Sequence, residues 1–305
     1  MNDSIIEVID FRKTYGDFVA VDGITFNVKK GEIFGLLGPN GAGKTSILES
    51  LEGLRTANGG SSRVAGIDPG REPRKLRNVI GVQLQSAGLP DSITPYEAMK
   101  FFCAYHEVPP RFDLLDRLNL TEKFNTQFYE LSAGLQRRLA LALAVAHNPQ
   151  VLFLDEPTAG LDVSSRVELH NLMHELQVNG TTIILATHDM AEAEEMSSRV
   201  AILLKGKIVS MGSPMEITAT GAGLTKISVH TENSCWAREG IDFPAVSQRT
   251  SQDEYGIFFS TDVGPTVSAI ISLIEARKDT LIDLRVERPS LEDRFLEITS
   301  KGGVQ

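Results

Sequence analysis

From residue 38 to residue 45 the chain reads Gly38-Pro39-Asn40-Gly41-Ala42-Gly43-Lys44-Thr45, the spacing G-x-x-x-x-G-K-[ST]. No other stretch limits the fold as strongly, because the pattern has chemical meaning only between a strand and a helix. The apolar run Ile33-Phe34-Gly35-Leu36-Leu37 supplies a buried strand, and a helical pattern follows Lys44. The glycines let successive N–H groups turn inward on phosphate oxygens while the next helix presents its positive end. Gly38 through Ser46 are therefore the expected phosphate contacts of a nucleoside triphosphate. Lys44 would reach the β- and γ-phosphates, and Thr45 would place a hydroxyl on Mg²⁺. A glycine-rich turn beside an ordinary surface lysine would share the spacing, so the rest of a phosphate-transfer site must be found elsewhere.

A second strand-like run, Val151-Leu152-Phe153-Leu154, ends in Asp155 and Glu156. A carboxylate at a strand tip can hold Mg²⁺ alongside Thr45, the role expected of Asp155. Glu156, one residue on, faces the other way and is free to polarise a water for attack on the γ-phosphate. Acids after a strand also cap helices, but a phosphate loop in the same chain favours the catalytic reading. Thr187-His188 follows the apolar run Thr181 to Ala186, and His188 can hydrogen-bond a γ-phosphate or simply pack. Ser132, Ala133 and Gly134 precede a helix expected to begin near Gln136, forming a second anion-binding helix start. One phosphate chain does not need two such sites, so each is expected to serve a nucleotide held mainly by another subunit. His170 and His174 share a helix face without a third ligand and read as solvated.

A formal net charge of -10 over 305 residues argues against nucleic acid as the partner, since phosphate backbones need a basic surface. Cys103 and Cys235 lie far apart without metal spacing, which suits a reducing compartment. The first ten residues are not a signal sequence, and the longest apolar run, Leu139 to Ala146, is too short to span a bilayer. A cytoplasmic chain without its own membrane span is expected.

Alternating residues from Ile5 to Val28, with a turn signal at Tyr15-Gly16-Asp17, predict antiparallel strands. Runs at Ile33 to Leu37, Val151 to Leu154, Thr181 to Ala186 and Val200 to Leu204 alternate with helical segments and predict parallel strands covered by helices. Ala98, Phe101, Phe102 and Tyr105 share one helix face, within an inserted helical subdomain at about residues 86–145. After Gly212-Ser213-Pro214 the composition changes to new alternating runs. The expected fold is α/β, a mixed sheet core with an antiparallel β subdomain and a helical insertion over residues 1–219. A small α+β domain is expected over residues 220–305.

Taken together, these motifs resemble the ATPase subunit of an ATP-binding cassette (ABC) transporter, over Ile5 to about Gly212. The resemblance implies ATP and Mg²⁺ as ligands, with Tyr15 stacking on adenine and Gly38 to Thr45 as the Walker A loop. It implies that Gln85 is the Q-loop glutamine sensing Mg²⁺ or water. Ser132 to Leu135 match the signature motif, Asp155 and Glu156 match Walker B and the catalytic glutamate, Ala159 to Asp162 the D-loop, and His188 the switch histidine. Thr45, Gln85 and Asp155 would then surround Mg²⁺, and Glu156, His188 and Gln85 would carry hydrolysis. The implied partners are a second, head-to-tail copy of the chain and a separate membrane permease at the cytoplasmic face of the membrane.

The signature departs from Leu-Ser-Gly-Gly-Gln at Ala133 and Leu135, which implies an active site that is slower or asymmetric, or in the extreme a low-turnover regulator. A soluble ABC ATPase acting on ribosomes or DNA is the other alternative, although this chain has one cassette and no long coiled-coil insertion. Pro289 to Leu296 are similar to the ending of daunorubicin-resistance exporters, which implies export. Without that resemblance they read as a helix capped by Ser290 with acids in its first turn.

Overall fold

The alternating amino-terminal segment folds as a long hairpin of β1 (Ser4–Tyr15) and β2 (Phe18–Lys29), turning where the sequence signals it. A computed structural model describes residues 3–83, 88–219, 224–237, 242–287 and 290–301. The apolar run that follows is β3 (Ile33–Leu37), which leads into α1 (Lys44–Leu51), and β4 (Gly59–Val64) then returns to the free side of β1. A short helix, α2 (Pro73–Leu76), leads to β5 (Ile80–Gln83). Three helices come next: α3 (Pro95–Tyr105), α4 (Phe112–Arg117) and α5 (Ala133–Val145). The chain then alternates β6 (Val151–Asp155), α6 (Val163–Val178), β7 (Thr182–Thr187), α7 (Met190–Met196) and β8 (Arg199–Leu204), and closes on β9 (Lys207–Gly212).

The larger sheet has the order β5-β6-β7-β3-β8-β9 and is parallel except at β9; the smaller, β2-β1-β4, is antiparallel. Both faces of the larger sheet are buried. Leu152, Leu154, Ile183 and Leu185 point into a core shared with α3, α4, α5 and α6, whereas Val151, Phe153, Ile184 and Ala186 point toward α1 and the antiparallel sheet. Two-sided burial explains why these strands read as unbroken apolar runs. Parallel pairing of β6 and β3 with β7 puts the carboxyl ends of all three on one edge, where open α/β sheets place ligands.

Several local expectations need correction. The buried stripe of α3 is Pro95, Ala98, Met99 and Cys103, while Phe101 and Tyr105 are exposed, because α3 packs on α5 through its small and sulfur-bearing residues. Helix α5 starts at Ala133, before the expected Gln136, because Ser132 caps it by accepting from the Leu135 N–H at 3.3 Å. His170 is buried, with Nε2 3.5 Å from Glu192 and Nδ1 3.6 Å from Glu195; His174 is exposed as expected.

The chain divides into two units, residues 1–213 and 214–305. Helix α8 (Pro214–Ala219) falls with the second unit, six residues earlier than the expected boundary at 219. The reason is that α8 packs against α10 (Leu291–Lys301). Between them lie β10 (Thr225–Thr231), β11 (Val246–Gln252), β12 (Tyr255–Ser260), α9 (Val263–Ala276) and β13 (Leu281–Glu287). The strands form an antiparallel sheet ordered β11-β12-β10-β13, and Ile227, Val229 and Phe258 form a core with Ile270 and Ile274 of α9. Ser290 begins α10 as read from the sequence: its Oγ accepts from the Asp293 N–H at 3.1 Å, and its own N–H donates to Asp293 at 2.9 Å. Pro289 lies outside the described residues.

Candidate active site

Leaving β3, the chain wraps through Gly38 to Gly43 and enters α1. Gly43 is the N-cap at φ 107°, and a Cβ there would lie 2.7 Å from the Ala20 carbonyl oxygen, so only glycine fits both the turn and the packing. No side chain caps α1 among the described residues, which leaves its first-turn N–H groups for an anion. Lys44 is buried and donates to the Gly38 carbonyl at 2.7 Å and the Pro39 carbonyl at 3.3 Å, closing the loop on itself.

Strand β6 brings its acids to the same edge. The Thr45 hydroxyl donates to Asp155 Oδ2 at 3.2 Å, joining residues 110 positions apart. Asp155 is buried, and burial pushes its carboxyl above the ordinary range; Thr45 and Lys44 oppose that push, and Glu156 and Glu49 add to it. Burial likewise pulls the Lys44 ammonium below its usual range, against Glu156 and Asp155. A hydroxyl and a desolvated carboxylate in contact form a set of hard oxygen donors, with excess negative charge that a small divalent cation relieves. The residues present therefore fit Mg²⁺, which Thr45 and Asp155 would hold.

Glu156 adopts φ 51°, a left-handed conformation that costs a non-glycine residue energy and recurs at active sites. Several connections hold it there. Its N–H donates to the Ala186 carbonyl at 2.8 Å, its carbonyl accepts from Arg137 at 2.9 Å, and its Oε1 meets His188 Nδ1 at 2.9 Å. The Glu156 carboxylate is largely covered while the His188 ring is half exposed, so the pair faces the open edge from β6 and β7. Arg137 received no role from its sequence, although it lies three residues after Gly134 in the same helix start.

Tyr15 sits beside this edge. Its hydroxyl lies 3.3 Å from Ser46 Oγ, and its ring is approached by Lys13 Nζ at 5.0 Å and the Arg55 guanidinium at 5.5 Å, two cations no motif announced. Ser132 and Ala133 are exposed and Gly134 is half-buried; no hydrogen bond among the described residues joins them to Gly38–Thr45. Gln85 lies outside the described residues. At the end of the D-loop stretch, Asp162 caps α6 by accepting from the Ser165 N–H at 2.8 Å and from the Ser164 and Ser165 hydroxyls, which hold its carboxyl well below the usual range.

Residues 21–159 match the sequence profile of the ABC transporter family. Over 99% of both chains, this sequence is 34% identical to the Nod factor export ATP-binding protein I of Paraburkholderia xenovorans. The chain belongs to the ABC transporter ATP-binding proteins. The daunorubicin resistance ATP-binding protein DrrA3 of Streptomyces coeruleorubidus is also similar, at 31% identity over 98% of this chain and 97% of that one. Among solved structures, cbiO1 of Clostridium perfringens, part of the ABC transporter complex cbiONQ, aligns with a TM-score of 0.64 and 31% identity over 72% of this chain and 92% of its own. This ABC protein is thus an ATP-binding, ATP-hydrolysing cassette with the expected mixed-sheet fold. These relatives lend no support to a ribosome- or DNA-acting ATPase. No helix among the described residues of the ABC chain is long and apolar enough to cross a membrane.

Proposed function

We propose that the chain is the ATPase of an exporter, working at the cytoplasmic face of a membrane on a separate permease. The observation that carries the reading is the convergence of two contacts on one sheet edge: Thr45 with Asp155, and Glu156 with His188. Gly38 to Ser46 bind the phosphates of ATP, Lys44 leaves its loop carbonyls for the β/γ oxygens, and Tyr15 offers its ring to adenine. Mg²⁺, when bound, supplies the positive charge that neutralises the phosphate oxygens. Glu156 accepts the proton of the attacking water, and His188 fixes the orientation of that carboxylate and reaches toward the γ-phosphate. By its resemblance to the Q-loop glutamine, Gln85 would sense the Mg²⁺ or the water.

Ser132 and Ala133 are exposed and, with Gly134, form a capped helix start, so they serve the ATP of a second, head-to-tail copy. Because ATP binds between the copies, its greater affinity for the closed pair drives closure, and hydrolysis reopens it. The permease docks at a cleft of about 350 Å³ between α3, α5 and β5, where Leu54 and Tyr105 are exposed and Phe102, Leu143 and Ala144 form an apolar lining. Nod factor and daunorubicin appear in the names of relatives spanning this whole length, which supports export of a small molecule.

The test is reconstitution in vesicles with the membrane protein encoded beside the gene. Drug efflux that needs ATP and disappears in the Glu156→Gln chain supports the reading. Hydrolysis that the permease leaves unchanged, with no ATP-dependent flux, overturns it.

A further inference from the structure

Glu52 is the C-cap of α1 and lines the cleft of about 350 Å³ between α3, α5 and β5. It is 5% exposed, and its Oε2 has no hydrogen-bond partner among the described residues. A carboxylate there is out of water and against the negative end of the helix dipole, two costs with no visible compensation. Burial, then Asp155 and Glu49, push its carboxyl up, and no cation among the described residues counters them.

A second buried acceptor belongs to the same cleft. His147 Nε2 lies 3.0 Å from the Ile80 carbonyl, so that nitrogen carries the ring proton and Nδ1 is left as an acceptor. Nδ1 too is buried without a hydrogen-bond partner among the described residues. The His106 ring stacks on His147 with 3.8 Å between ring centres, and burial holds both imidazoles below their ordinary range, so neither repels a cation. Phe102, Tyr105 and Leu143 supply apolar walls. Arg77, also on the lining, is exposed and keeps its own charge in water.

Taking the exporter reading above as given, we propose that this cleft receives a basic side chain of the permease, arginine or lysine, whose cation binds Glu52 Oε2. An aliphatic stem with a charge at its tip suits a cleft that is apolar along its walls and acidic at one buried atom. His147 Nδ1 accepts from a second donor of the same segment. An acidic or wholly apolar segment would leave Glu52 buried and unpaired, so the cleft discriminates against it. Asp155 acts on Glu52, so a cation brought to Glu52 acts in turn on Asp155, and docking is felt where Mg²⁺ would be held.

A double-mutant cycle between the full chain and the membrane protein encoded beside its gene tests this. Glu52→Gln keeps the size of the side chain and should lower affinity for the permease about tenfold, with thermal unfolding no lower than that of wild type. One cytoplasmic lysine or arginine of the permease, replaced by glutamine, should cost about the same tenfold against the wild-type chain and little more against Glu52→Gln. As a check on place, Leu54→Cys on the cleft should form a disulfide with a cysteine set beside that basic residue, and a Val178→Cys control at the end of α6 should not. Cys103 and Cys235 are buried and do not compete. Unchanged affinity in Glu52→Gln, additive losses for every basic residue, or a Leu54→Cys chain that links only to another copy of itself would overturn the proposal, while ATP-driven flux would leave the exporter reading standing. A permease that forms no complex with the wild-type chain would overturn both.

Discussion

Arg137 on α5 donates a 2.9 Å hydrogen bond to the backbone carbonyl of Glu156, at the left-handed turn ending β6. The helix that starts with the signature residues thereby holds the strained backbone of the proposed catalytic base. Movement of the helical region and placement of that carboxylate are mechanically joined.

Arg137→Ala should therefore impair turnover without removing any group that touches ATP. A charged donor of this kind contributes about 1.5–3 kcal/mol. We expect kcat to fall about tenfold or more, with little change in the Kd for ATP, in steady-state hydrolysis and equilibrium binding. Equal losses in kcat and binding would mean that the residue supports the whole fold.

Glu156→Gln keeps the shape of the side chain but not its basicity. Hydrolysis should drop by roughly 10²–10⁴-fold, while ATP binding persists. His188→Ala should lower the rate less, since it removes a partner of the carboxylate and leaves the carboxylate itself in place.

Asp155→Asn replaces a desolvated carboxylate by a neutral amide 3.2 Å from the Thr45 hydroxyl. It should weaken binding of Mg·ATP by about tenfold or more and leave binding of ATP in a chelator nearly unchanged. Calorimetry with and without Mg²⁺ separates the two.

Glu52, at the carboxyl end of α1, is buried, and one of its carboxylate oxygens has no hydrogen-bond partner among the described residues. Burial, then Asp155 and Glu49, push its carboxyl from an ordinary value of 4.5 up to about 8. The folded chain keeps this proton where the unfolded chain loses it, so its contribution is full below pH 4.5. Stability falls as pH rises from about 4.5 to about 8. Glu52→Gln should flatten that decline and be the more stable protein at pH 8, by on the order of a few kcal/mol. Urea unfolding at pH 5 and pH 8 measures it.

A Cβ on Gly81 would lie 2.1 Å from the Ala144 carbonyl oxygen and 3.0 Å from Pro149. Gly81→Ala should therefore force β5 away from α5 at a cost of about 3 kcal/mol. Thermal unfolding of this variant should begin well below that of wild type.

Much of this molecule was legible because its strands are buried on both faces. Ile33–Leu37, Val151–Asp155 and Thr182–Thr187 announce themselves as apolar runs, and a phosphate loop and acids placed at their ends have few other uses. Strand β11 gave no such signal: its residues are mostly exposed and polar, and pairing with β12 alone makes it a strand. Phe101 and Tyr105 misled because helical spacing shows which residues share a face and not which face is covered. His170 misled for the opposite reason, since its burying partners, Glu192 and Glu195, come from another helix. Arg137 could not be read as a partner of Glu156 because the contact is to a backbone carbonyl, an acceptor that every residue carries.

In the larger sheet β7 lies between β6 and β3, so the loop of Lys44 and the acids of β6 become neighbours only through a strand made later than either. During synthesis the phosphate loop emerges early, without the groups that split ATP. A growing chain halted before Thr182 has its glycine loop and both acids but no central strand to set their spacing. The order of strands is thus also a timetable: this ATPase cannot begin to consume fuel until most of its first 213 residues have been made and folded.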